Sequence, residues 1–365
     1  MRPTTTSPTA SPMVSRRGRR ALRVLLGLAT AVAITATLHT TSASAATPTP
    51  APWLKPVLGG LLDRQHAPSS AYHGAVDGYV AEVAWADLQP TPTSQIARGN
   101  PIDQDIAYAK ANHLKLKLRV LTGTSAPEWA KRLDGPPVNV VDEYHNTGTV
   151  GRFWTPRFAS AYTQLQTKLA ARYDTAPELA MTQITRCTTM FAEPFLRQGR
   201  TPKSVQALLK AGYTATLDEA CQHQQVDAHK LWTHTRSGLS FNPYQRINPD
   251  QSVTNDGAFS ALMMRYARQQ LGARAVLENH SIRSTFDQGP SYVELYKAIK
   301  ALGGPVSFQT AAPDRIGNLG ATLKWAVSQG AASVELPSSY RTTASPASLT
   351  SYNRQLTTIA TNNSH

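Results

Sequence analysis

From residue 57 onward, short apolar runs alternate with longer amphipathic ones, and few architectures accept that order. Runs of strand length fall at 57–62, 78–84, 114–121, 179–185, 237–241, 274–277, 305–308 and 332–334. Helical spacing fills the gaps at 102–112, 158–173, 202–211, 217–232, 256–271, 292–302 and 319–327, and again at 348–360. In the second helix Tyr162, Leu165, Leu169 and Tyr173 share one face, as a period of 3.6 residues requires. Strands joined through helices pair in parallel, because a parallel crossover needs a dozen or more residues. Eight such units predict an α/β chain folded as a single (β/α)8 barrel over residues 57–365, with no second domain and no internal repeat.

The residues ahead of this pattern belong to something else. Arg16, Arg17, Arg19, Arg20 and Arg23 form a basic stretch, residues 24–38 are apolar, and Ala43, Ser44 and Ala45 offer a small-residue cleavage site. That order predicts a secretory signal peptide over 1–45, with an apolar stretch of about 15 residues, too short for the roughly 20 of a membrane span. Residues 46–56, rich in Thr, Pro and Ala, read as a flexible lead-in. The whole chain carries a formal charge of +14, which falls to about +8 once the six arginines of the first 45 residues are removed. The remainder suits an anionic surface such as a cell wall. No basic run interleaved with aromatics survives cleavage, which argues against nucleic acid, and no membrane span is expected in the mature chain. The two cysteines, Cys187 and Cys221, allow one disulfide in an exported protein, two buried thiols being the alternative.

A parallel barrel gathers the residues that follow its strands on one rim, and enzymes of this fold keep their chemistry there. Glu193, followed by Pro194, comes after the fourth strand. A carboxyl group so placed can protonate a leaving oxygen, as hydrolysis of a sugar linkage demands. A second carboxyl must serve as nucleophile or base, and Glu278 after the sixth strand and Glu335 after the eighth both qualify. Glu278 stands two strands from Glu193, whereas Glu335 stands opposite. Trp85, Asp87, Arg119, Trp129, Asn242, Tyr244, Asn279 and Gln309 also follow or end strands and could position a sugar. No Gly-x-Ser-x-Gly elbow, His-Glu-x-x-His pair, Walker loop or dinucleotide glycine fingerprint occurs, so neither cofactor nor metal is expected.

Several of these segments carry a resemblance. Residues 83–90, with Trp85, Leu88 and Pro90, the run 118–123, Ala126-to-Trp129, Phe153 with Trp154, and Ala192, Glu193 and Pro194 together resemble the clan A glycoside hydrolases, in particular β-galactosidase-like barrels. The resemblance covers about residues 78–195. It implies that Glu193 is the general acid/base. Two departures accompany it: Ala192 stands where that family has Asn, and Gln309 stands where its nucleophilic Glu ends the seventh strand. The expectation is therefore a secreted glycoside hydrolase acting on an extracellular oligo- or polysaccharide, with a non-catalytic carbohydrate-binding barrel as the alternative.

Overall fold

A computed structural model describes residues 53–284 and 289–364. The expected signal peptide lies outside the described residues, as does the lead-in up to residue 52. Eight strands close a barrel: β1 (Gly60–Asp63), β2 (Gly78–Ala84), β3 (Lys115–Leu121), β4 (Leu179–Gln183), β5 (Arg236–Ser240), β6 (Ala275–Ile282), β7 (Val306–Thr310) and β8 (Ser333–Leu336). Every neighbouring pair is parallel, and β1 closes on β8 with Gly60 opposite Ser333 and Leu62 opposite Glu335. The longer helices are α1 (Pro101–Ala111), α2 (Pro156–Tyr173), α3 (Pro202–Lys210), α4 (Ala215–Ala228), α5 (Gly257–Leu271), α6 (Pro290–Leu302), α7 (Leu319–Ser328) and α8 (Pro346–Asn362). The chain is thus the (β/α)8 barrel its sequence pattern calls for. Their starts are marked in the sequence: Asn100, Thr214, Asp256, Asn318 and Ser345 each accept a first-turn N–H, and α1, α2, α3, α6 and α8 open on proline.

Each strand divides its residues between two environments, because successive side chains point to opposite faces. On β3, Leu116, Leu118 and Val120 pack outward among the helices, while Lys117 and Arg119 point to the barrel axis. Branched aliphatic residues usually fill such an interior. Here part of it is ionic. Lys117 Nζ lies 2.6 Å from Glu278 Oε1 and 2.7 Å from Glu335 Oε1, and Arg119 Nη2 donates to both Glu335 oxygens at 2.7 and 2.8 Å. Gly238 makes the room, since a Cβ there would sit 2.6 Å from Glu278 Oε1. Leu58, Leu62, Ala180, Met181 and Val276 form a small apolar cluster of their own. Lys55, in the stretch read as lead-in, is buried, and its ammonium donates to Ala176 O, Leu179 O and Thr235 Oγ1 at 2.7–2.8 Å.

Three features differ from the sequence reading. The first strand begins at Gly60 rather than 57. The sixth continues to Ile282, past the expected end at 277, with a register shift against β7 between Asn279 and Ile282. Two antiparallel hairpins, Val138–Val141 with Thr147–Val150 and Tyr244–Ile247 with Val253–Asp256, project from the loops after β3 and β5. Their strands are four residues each, too short to carry a periodic signal.

One buried group gives the fold an acid-sensitive point. His229 sits between the Tyr162 hydroxyl (2.8 Å) and Ser237 Oγ (3.0 Å), and burial pushes its pKa down to about 3. The unfolded chain takes up a proton below about pH 6.5 that the folded chain refuses, so this contribution to stability is full above pH 6.5 and lost as pH falls. The expected loss approaches about 1.4 kcal/mol per pH unit below pH 6.5. Melting curves between pH 7 and 5 should therefore fall more steeply for the wild type than for His229→Gln; parallel curves would remove His229 as the cause.

Candidate active site

Glu193 lies on the long loop between β4 and α3, and one stripe of α4 holds that loop. Asp218, Cys221, Gln222 and Gln225, at helical spacing i, i+3, i+4 and i+7, are all fully buried. Cys221 forms a disulfide with Cys187 at the start of the loop. Gln225 Oε1 accepts from the Cys187 N–H at 3.1 Å, and Gln222 Nε2 donates to Pro194 O at 2.7 Å, one residue past Glu193. Asp218 takes both Arg197 guanidinium contacts, at 2.8 and 2.6 Å. The Tyr213 and Tyr244 hydroxyls also donate to Asp218 Oδ2, at 2.6 and 2.8 Å. Burial, then the Asp218 charge, pushes both tyrosine hydroxyls far up, so they stay protonated donors. The loop is therefore fixed by a covalent bond, a buried ion pair and backbone hydrogen bonds, which is what a catalytic side chain on a long loop requires.

Glu193 faces a cleft over the C-terminal mouth of the barrel. The inner part, about 440 Å³, is lined by Arg64, Glu82, Arg119, Glu193, His280 and Gln309, among others. It runs into an outer part of about 920 Å³ that shares Arg64, Phe191, Glu193, His280 and Gln309 and adds Tyr144, Asn242, Tyr292 and further polar side chains. Asn242 Nδ2 donates to Glu193 Oε1 at 3.0 Å, and Asn242 Oδ1 accepts from the Tyr292 hydroxyl at 3.2 Å. Two strands from β4, the end of β2 presents Glu82 to the same cleft; its side chain is 43% exposed and its Oε2 accepts from Arg119 Nη1 at 3.3 Å. His280 links the cleft floor to the ionic layer below, its Nε2 lying 3.2 Å from Glu278 Oε2. A carboxylate only accepts, so the imidazole proton is assigned to Nε2.

The expected site residues separate into three groups. Glu193, Arg119, Asn242 and Gln309 line the cleft. Glu278 and Glu335 do not: both are 0% exposed inside the barrel, below the cleft floor. The reason is strand length. Glu278 lies within β6 and Glu335 within β8 rather than after them, so their side chains point to the axis at a lower level. Burial alone would raise the Glu278 carboxyl, but Lys117 and then His280 hold it below the ordinary value. Glu335 is likewise resisted by burial yet held far below the usual carboxylate range by Arg119 and Lys117. The remaining residues are structural in place. Trp85 is buried against Trp129 and Phe158, with its indole N–H on Gln89 Oε1 at 3.0 Å. Trp129 is partly buried in the same cluster. Tyr244 is bound to Asp218 as above, and Asn279 faces outward, donating to Phe241 O at 2.7 Å and accepting from Tyr296 at 2.8 Å. Asp87 is exposed on the short helix Trp85–Leu88, away from the cleft lining.

Glu82, Arg64 and His280 enter the cleft without having been singled out as its chemistry-bearing groups. Glu82 was legible in principle: an acid at an axis-facing position near the end of a strand, in an otherwise apolar run, is the pattern to look for. Among the described residues no group of three or more His, Cys, Asp or Glu is placed to hold a metal ion, and no helix is long and apolar enough to cross a membrane.

No family model matches the sequence, and no curated protein matches it. Among solved structures it is similar to the catalytic domain of β-amylase from Paenibacillus polymyxa, at 11% identity and a TM-score of 0.48, covering 78% of this chain and 94% of that one. It is similar also to endo-glycoceramidase II from Rhodococcus sp., at 14% identity and a TM-score of 0.46, covering 79% and 75%. A third is the β-galactosidase of the psychrophilic Marinomonas ef1, at 17% identity and a TM-score of 0.44, where the match covers 76% of this chain and about half, 53%, of the other. The assignment of the fold rests on the closed, all-parallel strand order of this chain itself.

Proposed function

We propose that the chain is an extracellular glycoside hydrolase whose chemistry takes place in the rim cleft between Glu193 and Glu82. The observation that carries this reading is that both carboxylates open onto one polar cleft at the C-terminal mouth of a (β/α)8 barrel. Glu193, held by Asn242, is the general acid that protonates the glycosidic oxygen. Glu82, oriented by Arg119, is the second carboxylate, acting on the anomeric carbon directly or through water. It takes the place first considered for Glu278 and Glu335, because neither of those can reach a sugar without giving up two or more buried charge-assisted contacts. Amides of Asn242, Gln198, Gln245 and Gln309 offer hydrogen bonds to hydroxyls, and Phe191, Tyr144 and Tyr292 offer flat apolar faces. Export is supported by the basic and apolar pattern of the first 45 residues and is compatible with the Cys187–Cys221 disulfide.

A non-catalytic glycan-binding barrel is the second reading. It is favoured by Gln309 at the end of β7 and by the neutralisation of Glu278 and Glu335 within the fold. Release of reducing ends from a panel of oligo- and polysaccharides separates the two. Hydrolysis by the wild type, reduced about a hundredfold or more in Glu193→Gln, is expected. Equal rates for the two proteins would end the proposed role of Glu193, and binding without turnover would favour the second reading.

A further inference from the structure

Among the described residues the cleft is lined by five arginines, Arg64, Arg119, Arg200, Arg283 and Arg315, and by no lysine and no tryptophan. A site for a neutral glycan has little use for that choice. Guanidinium is a rigid fork matched to a carboxylate, sulfate or phosphate group, whereas lysine is a mobile point charge. Arg119 is committed to Glu335 and Glu82. The other four have no carboxylate within ion-pair distance among the described residues, although Arg172, Arg197, Arg246 and Arg341 elsewhere each do. Arg64 donates to Thr310 O at 3.1 Å, and Arg315 lies 5.9 Å over the Tyr144 ring, so both are positioned without a direct carboxylate partner among the described residues.

Two of these arginines, Arg200 and Arg283, line the outer part of the cleft together with Glu193, Asn242 and Tyr292. Burial pushes the Tyr292 hydroxyl up; a hydrogen bond with Ser281 opposes that rise, Glu193 adds to it, and Arg283 and Arg200 oppose it. Tyr292, hydrogen-bonded to Asn242 at 3.2 Å, is thus the centre of a neighbourhood that contains Glu193, Arg200 and Arg283. Among the described residues the acids facing the same space are Glu143, Glu193 and Asp314, together with Glu82 on Arg119.

We propose that the cleft selects an anionic sugar unit next to the bond acted on by Glu193, its acidic group held by Arg200 and Arg283, with Arg64 and Arg315 available to further acidic units. This rests on the reading of the cleft as a glycan site, and it names the class of glycan: one bearing carboxylate, sulfate or phosphate groups.

The test is calorimetric titration of Glu193→Gln protein, in which ligand stays intact, with four probes: a neutral galacto-oligosaccharide, an oligogalacturonate of the same length, a sulfated galactan fragment and a glycerol phosphate polymer. At least one anionic probe should bind about tenfold or more tighter than the neutral one, with an affinity that falls as salt rises. The probe that does so identifies the acidic group. Adding Arg200→Gln or Arg283→Gln should remove about tenfold from that affinity while leaving the neutral probe unchanged, which also reports that the cleft is intact. Equal affinity for all probes, no binding of any, or an anionic preference that survives both substitutions would each overturn the proposal. Anionic preference without hydrolysis by the wild type would remove the catalytic reading alone, and hydrolysis without that preference would remove the anionic one alone.

Discussion

Lys117→Met will lower the stability of the barrel by about 3–5 kcal/mol, measured by chemical denaturation. The substitution is close in size and suits an apolar interior, so volume is not the cause. The cause is charge. Lys117 is 1% exposed and bridges Glu278 and Glu335, which are both fully buried and lie on strands on the far side of the barrel from β3. Without its ammonium, Glu278 keeps only His280 as a partner and Glu335 keeps Arg119. Breaking a buried pair costs more than the pair contributes, because an uncompensated charge is left in a medium of low dielectric constant. Lys117→Met combined with Glu278→Gln should therefore recover part of the loss, a coupling that independent sites would not show. The same network sets an acid limit. Both carboxyls sit below their ordinary value of 4.5 in the fold, so their contribution is complete above about pH 4.5 and is lost as pH falls below it. A Lys117→Met protein as stable as the wild type would mean that the ionic layer is not holding the strands together.

The second large effect concerns the division of labour between Glu193 and Glu82. Glu193→Gln should lose about a hundredfold or more in kcat on a glycan with a poor leaving group and far less on an aryl glycoside whose phenol leaves without a proton. A general acid matters only where the leaving oxygen needs protonation. That contrast is beyond what a displaced loop would produce, since a displaced loop would slow both substrates alike. The loop's anchoring on α4, through the Cys187–Cys221 disulfide and the Arg197–Asp218 pair, holds it in place when the Glu193 carboxylate becomes an amide.

The barrel was legible because its helices and its longer strands, β2, β3 and β6, are long enough to show their periods. The order of the eight strands, the helix expected from 256 and the position of Glu193 after the fourth strand follow from local pattern, while the helices expected from 102 and 217 begin slightly earlier, at Pro101 and Ala215. The site was half legible. Glu193, Arg119, Asn242 and Gln309 were read from their place after or late in strands, and they do line the cleft. In the sequence Glu278 and Glu335 look like rim residues, because each follows an apolar run of strand length. In a closed barrel an acid can instead continue the strand and face the axis, if a cation on another strand meets it. Local pattern cannot show that Lys117 does so, 161 residues from Glu278 and 218 from Glu335. Trp85, Trp129 and Tyr244 were read as sugar platforms, yet aromatic rings close to strand ends also fill the space between strands and helices, and here they do. Glu82 was passed over for the converse reason: it sits inside a strand, but one level higher, where the axis opens to solvent.

The central claim is that the chemistry belongs to the rim cleft and not to the ionic layer beneath it. The most direct measurement is kcat of Glu82→Gln on a glycan that the wild type cleaves, with the stability of both proteins determined alongside. The account predicts a fall of about a hundredfold or more at unchanged stability. A Glu82→Gln protein that folds and turns over at the wild-type rate would contradict it.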